Sequence, residues 1–307
     1  MQTKQQIEQL LASAGVEPNK RLGQNFLIDL NLMRLLIDSA NIDNEDIVLE
    51  VGCGTGSLTQ ALAERAGKVI AVELDETLAK ITARELAEAK NVEVVNADIL
   101  ESKNTINRTI CDAIELARKR RSSPPRRAEG ETGRFLLVSN LPYSVASPLM
   151  MNLITSSIVA DAMHVTVQKE VADRMTAAPG DKHYGTLSIH MAATGDVKTE
   201  RVLKPTVFWP QPQVNSTMIS FVRKAEKGSR IQSMELLGEV INLFMQHRRK
   251  MVKACTRFVA GKLAEINNWS EIFERCSIDP HNRPEQLEVS DYVAIANLCS
   301  EQLKTLP

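Results

Sequence analysis

"DIVLEVGCGTGSLTQAL", residues 46–62, puts three pieces of structure into one short stretch. The apolar run Ile47 to Val51, interrupted only by Glu50, reads as a buried strand. Gly52, Gly54 and Gly56 follow it as a turn, and a helix opens after them. Glycines at such a turn tolerate positive φ and let a ligand approach the backbone closely. The helix N-terminus adds oriented N–H groups. Alone, the turn has a bland alternative, a tight connection with no ligand, and dinucleotide-binding folds use a similar one.

The same alternation continues along the chain. "GKVIAVELD" (67–75) reads as a second strand, "ETLAKITARELAEAK" (76–90) as a helix, and "NVEVVNADIL" (91–100) as a third strand. "FLLVSNLPY" (135–143) and "HVTVQKE" (164–170) read as the fourth and fifth, and "LSIHMAATG" (187–195) and "NSTMISFVRK" (215–224) as two later ones. Strands alternating with helices imply an α/β fold, a mainly parallel sheet covered on both faces. From Met234 the periodicity is helical, so a smaller all-helical domain is expected at the C-terminus. The expected divisions are an N-terminal segment 1–24, a large α/β domain 25–226 and a helical domain 227–307. Residues 101–134 read as a flexible basic surface insertion, whose Pro-, Gly- and Arg-rich tract "ARKRRSSPPRRAEGETG" cannot bury a core.

Composition narrows the class. The 307 residues are 43% hydrophobic and 24% charged with a net charge of −1, so any nucleic-acid-binding face must be local. Five cysteines form no CxxC pair, which fits free thiols and offers no zinc spacing. No secretory signal is expected from the polar first residues, and no run approaches the roughly 18 apolar residues of a membrane span. A cytoplasmic protein with no membrane partner is expected.

Three successive strand ends carry candidate ligand residues: Gly52 with Gly54, then Glu73, then Asp98. In an open α/β sheet the ligand crevice lies outside these carboxyl ends. Glu73 can accept bonds from both hydroxyls of a ribose, and Asp98 can accept an adenine amine; a turn or cap residue is the plain alternative for Asp98. The pattern E-x-G-x-G-x-G, led by Glu50, resembles the S-adenosylmethionine turn of Rossmann-like methyltransferases. A dehydrogenase GxGxxG would need glycine at Ser57.

The fourth strand ends in Asn140-Leu141-Pro142-Tyr143. Amino-methylating enzymes of this fold carry (D/N)-P-P-(Y/F/W) at this place. An adenine amine is a poor nucleophile because its lone pair is delocalised into the ring. The Asn140 oxygen and the Leu141 carbonyl can each accept one N–H, Pro142 fixes the backbone, and Tyr143 offers a face for the base.

In combination "RLGQNFLID" (21–29), "LEVGCGTGSLT", "VELD", "NADIL", "NLPY", "QKEVADRM", "YGTLSI", "FWPQPQVNS" (208–216) and "HRRKMVKA" (247–254) resemble the small-subunit ribosomal RNA adenine dimethyltransferases, from about Lys20 to Ala296. The macrolide-resistance RNA methyltransferases and mitochondrial transcription factor B proteins are relatives of that family. The resemblance implies S-adenosylmethionine held by Asn25, Leu27, Gly52, Glu73, Asp98 and Asn140. It implies Phe208 opposite Tyr143 across a flipped adenine. It implies dimethylation of N6 on two adjacent adenines in a hairpin loop near the 3′ end of small-subunit ribosomal RNA, within ribosome biogenesis. The partner would be that RNA in an immature small subunit, bound by a monomer. No metal and no covalent enzyme intermediate are expected.

Two departures stand out: Cys53 where many members have proline, and Asn215 where aspartate is common. The antibiotic-resistance relatives usually read N-I-P-Y, whereas this chain has Leu141. A non-catalytic assembly or transcription factor on the same fold is a further alternative, which the retained Glu73, Asp98 and Asn140 disfavour. Candidate phosphate contacts are Lys20 and Arg21, the arginines of the insertion, and His247, Arg248, Arg249, Lys250 and Lys253 on a helix of the second domain.

Overall fold

The computed structural model describes residues 1–19, 22–120 and 133–304. Its centre is a seven-stranded sheet. The strands are β1 (Ile47–Val51), β2 (Lys68–Glu73), β3 (Val92–Asn96), β4 (Phe135–Asn140), β5 (Ala162–Gln168), β6 (Gly195–Leu203) and β7 (Ser216–Arg223). Their spatial order is β3-β2-β1-β4-β5-β7-β6. The pairs from β3 to β5 are parallel, and β7 runs antiparallel to β5.

This order follows from burial. Every residue of β1 is buried, so neither face can be left to water. On one face the helix Leu30–Ala40 supplies Met33, Leu36 and Ile37 against Val48, Val69, Leu136 and Val138. Asp29 caps that helix by accepting from the Asn31 and Leu32 amides. The chain runs outward from β1 to β3 and then returns to the other side of β1 as β4. The switch point therefore lies between β1 and β4, at whose ends stand Gly52 and Asn140. A small antiparallel ribbon, Phe26–Leu27 against Phe208–Trp209, lies outside the main sheet.

The chain divides into two compact units, Met1–Ala172 with Lys198–Val222, and Asp173–Val197 with Arg223–Pro307. The second is mainly helical. The helices Thr186–Thr194, Met234–Gln246, Trp269–Arg275 and Val289–Lys304 enclose a core that includes Leu237, Ile241, Phe244, Tyr292 and Ile295.

Three local expectations need correction. "LSIHMAATG" is not a strand; Thr186–Thr194 is a helix, with only two of its nine residues not buried. A segment buried nearly all round shows neither period, so its sequence cannot separate helix from strand. The connection 101–134 is not structureless. Arg108–Arg120 is a helix, and Ile110, Ala113, Ile114 and Ala117 are buried at i, i+3, i+4 and i+7. Its arginine-rich end masked that stripe, and the tract 121–132 lies outside the described residues. "HRRK" is not on a helix either, because Met234–Gln246 ends there and residues 247–250 form a turn.

Candidate active site

A cleft of about 220 Å³ opens at the carboxyl ends of β1, β2 and β4. Its floor is the glycine turn, where Gly52, Gly54 and Gly56 have φ of +77°, +61° and +82°. Side chains rarely adopt that region. Space also excludes them: a Cβ on Gly52 would lie 2.8 Å from the Pro142 ring, and one on Gly54 2.8 Å from Phe26. Pro142 thus does more than fix its own backbone; it packs the end of β4 against the turn after β1.

Glu73 ends β2 inside this cleft. Its Oε2 accepts the Gly54 N–H at 2.8 Å and its Oε1 accepts the Asp75 N–H at 3.0 Å. The Thr82 hydroxyl donates to the Gly54 carbonyl at 2.8 Å, so the turn is held from both ends. Burial raises the Glu73 carboxyl above its ordinary range, against these hydrogen bonds. Asp98 lies two residues past β3 on the cleft wall, where its Oδ1 accepts the Leu100 N–H at 3.0 Å.

The end of β4 forms the facing wall. Asn140 Nδ2 donates to the Asn25 carbonyl at 2.9 Å, and Asn25 Nδ2 donates to the Gly23 carbonyl at 3.0 Å. Leu141 is buried, with its N–H donating to Thr166 of β5 at 3.1 Å. The Tyr143 hydroxyl and Ser216 Oγ of β7 lie 2.7 Å apart, which fixes the tilt of the ring. Burial raises the Tyr143 phenol further, so it stays protonated at neutral pH.

Asn25, Leu27, Gly52, Gly54, Glu73, Asp98, Asn140, Leu141, Pro142 and Tyr143 all line this one cleft. Phe208, expected to face Tyr143 across a base, does not. It is 1% exposed, pairs with Leu27, and packs in the core with Leu203 and Met218. Its neighbour Trp209 stacks on Phe26 instead, with ring centres 6.2 Å apart.

Glu50, the first letter of the E-x-G-x-G-x-G pattern, is itself a wall of the cleft. It is 2% exposed and its Oε2 has no hydrogen-bond partner. Burial, with a smaller push from the Glu73 charge, raises its carboxyl to about 8. A lone acid inside an apolar strand was the available signal. Two buried carboxyl groups in one cleft favour a ligand whose positive charge would stabilise their ionised forms. Among the described residues no group of His, Cys, Asp and Glu is arranged to hold a metal ion.

Of the expected phosphate contacts, Lys20 and Arg21 lie outside the described residues. Arg118 is engaged within the first unit: it donates to the Val159 carbonyl at 3.0 Å and sits over the Phe135 ring. In the second unit Arg248 pairs with Glu285 through Nε at 3.1 Å and Nη2 at 2.9 Å. Arg249 and Lys250 are exposed, and Lys250 lies 5.4 Å from the Phe258 ring.

Residues 15–299 match the family model described as ribosomal RNA adenine dimethylase. A protein of Pediococcus pentosaceus, "Ribosomal RNA small subunit methyltransferase A", is 34% identical over 94% of this chain and 92% of its own length. One of the same name from Halothermothrix orenii is 35% identical over 94% of this chain and 90% of its own. Among solved structures, a dimethyladenosine transferase from Plasmodium falciparum superposes with a TM-score of 0.68 at 20% identity, over 89% of this chain and 97% of that one. The 23S rRNA methyltransferase ErmE does so with 0.59 at 20% identity, over 90% and 99%. At that identity these two speak for the fold alone.

Proposed function

Because this chain belongs to the ribosomal RNA adenine dimethylases, we propose that its cleft methylates N6 of two neighbouring adenines near the 3′ end of small-subunit ribosomal RNA. S-adenosylmethionine is the methyl donor of the family, and when bound it supplies an electrophilic methyl on a sulfonium. The cleft fits that ligand on its own chemistry. Gly52 and Gly54, which carry no side chain, line the cleft where a nucleoside would approach, and Glu50, whose buried Oε2 lacks a hydrogen-bond partner, is suited to a cation. Asp98 would hold the adenine amine, Glu73 the ribose hydroxyls, and Asn25 and Leu27 the far wall.

The observation that carries the mechanism is the bond from Asn140 Nδ2 to Asn25. This bond points the amide nitrogen toward Asn25 and leaves its oxygen as the acceptor. An acceptor suits a substrate amine, which brings only N–H groups before its lone pair attacks. In the first transfer Asn140 Oδ1 and the Leu141 carbonyl would take the two N–H groups and turn the lone pair toward the methyl; in the second, the one remaining N–H would be held by one of these acceptors. Catalysis would then rest on positioning, with the proton lost after transfer. Tyr143, its tilt fixed by Ser216, would stack on the extruded base. Arg249 and Lys250 would add phosphate contacts from the second unit, where Arg248 is held by Glu285.

The test is to incubate the protein and S-adenosylmethionine with small subunits lacking the modification, then analyse the nucleosides. N6,N6-dimethyladenosine is the expected product, and unmodified adenosine alone would reject the assignment.

A further inference from the structure

The N-terminal helix Lys4–Ser13 is fastened to the glycine turn by the residue that leads into it. Gln2 N–H donates to Ser57 Oγ at 2.7 Å, and Gln2 Nε2 donates to the Thr55 carbonyl at 2.9 Å. Thr55 Oγ1 in turn donates to Gln2 Oε1 at 2.6 Å. Both ends of the Gln2 amide are thus spent on one residue of the turn. Thr55 and Ser57 flank Gly56, so these bonds act on the backbone that cradles the ligand.

The helix itself supplies wall. Ile7 is 1% exposed, yet it is one of the residues lining the cleft. With Leu11 it packs on Leu78 and Ile81 of the helix Glu76–Glu85, which follows Glu73, and against Phe26 and Trp209. Gln2 and the helix after it together touch the glycine turn, the helix that follows Glu73, and the ribbon beside Asn25. At 10 residues it is too short to persist in water without those contacts. Its order therefore depends on the docking.

We propose that this helix is a working part of the cofactor site: Gln2 positions the glycine turn, Ile7 closes the cleft wall, and the ligand exchanges when the helix lifts. The inference rests on S-adenosylmethionine occupying this cleft. Gln2 is a positioning residue, since it acts through Thr55 and Ser57. Ile7 would touch the bound ligand.

The test compares Gln2→Ala, Ile7→Asp and the control Gln5→Ala, which alters the exposed face of the same helix. Labelled S-adenosylmethionine is bound to the full-length protein and chased with unlabelled ligand, after circular dichroism has established that each variant is folded. Gln2→Ala is expected to speed dissociation about tenfold, which corresponds to about 1.4 kcal/mol. It should raise KM for the cofactor with little change in kcat. Gln5→Ala should match the parent. Hydrogen exchange across residues 4–13 should slow when the ligand binds. A folded Gln2→Ala with the parent's dissociation rate, or exchange in the helix indifferent to ligand, would overturn the proposal; Gln2→Ala decides alone if Ile7→Asp fails to fold. No binding by the parent protein would instead overturn the cofactor assignment, and this inference with it.

Discussion

Asn140 and Asn25 are 115 residues apart in sequence, yet the side-chain nitrogen of one donates to the backbone carbonyl of the other at 2.9 Å. The bond joins the end of β4 to the segment that precedes the helix Leu30–Ala40. It decides which way the Asn140 amide faces. Replacing Asn140 with alanine should therefore abolish RNA methylation while S-adenosylmethionine still binds to the glycine turn. Calorimetry and a methyl-transfer assay on the same preparation check both halves. Transfer at the parental rate would remove Asn140 from the mechanism.

Tyr143 separates stacking from hydrogen bonding. Tyr143→Phe loses only the bond to Ser216 and should retain most activity. Tyr143→Ala loses the ring, and base stacking is worth about 1–3 kcal/mol. That corresponds to a loss of about 5- to 150-fold in kcat/KM for the RNA. Steady-state kinetics with both variants distinguish the two contributions.

Glu50 gives the cleft a pH dependence. Its carboxyl is raised to about 8 in the folded protein, against about 4.3 for an unfolded chain. Between those values the folded state binds the extra proton, so this group makes stability fall as pH rises. A cationic ligand favours the ionised carboxylate and releases that proton. Affinity for S-adenosylmethionine should accordingly rise from about pH 5.5 to about pH 7, below the roughly 7.7–8.0 at which an α-amino group titrates. Glu50→Gln should flatten this rise, as measured by calorimetry across the range.

In the second unit, neighbouring arginines should behave differently. Arg248 is committed to Glu285, and such partly exposed pairs contribute at most about 1 kcal/mol. Arg248→Ala should show as a small loss of thermal stability. Arg249→Ala with Lys250→Ala should weaken RNA binding and lower its salt dependence, with each lost phosphate contact reducing the slope by about one. Filter binding across a salt series reads both.

Residues at strand ends were the easiest to read. Gly52, Glu73, Asp98 and Asn140 each close an apolar run, and the rule that ligands lie beyond the carboxyl ends brings them together without knowledge of tertiary contacts. Phe208 was different: an aromatic before a proline-rich turn looks the same whether it faces a base or, as here, the core. Ile7 shows in the sequence only as part of the amphipathic piece Ile7-Leu10-Leu11, and Gln2 leaves no signal because its meaning lies in Thr55 and Ser57, distant in the chain. Arg248 read as a free cation because Glu285 is 37 residues away. The helix Thr186–Thr194 was missed because burial on nearly every side erases periodicity.

On this mechanism Asn140 and its neighbours position adenine N6 of small-subunit RNA for methyl transfer. The most direct measurement supplies labelled S-adenosylmethionine with undermethylated subunits of both kinds and maps the labelled nucleotides. Two neighbouring adenines near the 3′ end of the small-subunit RNA, each carrying two labelled methyl groups, are predicted. Label confined to large-subunit RNA, or to atoms other than adenine N6, would contradict it.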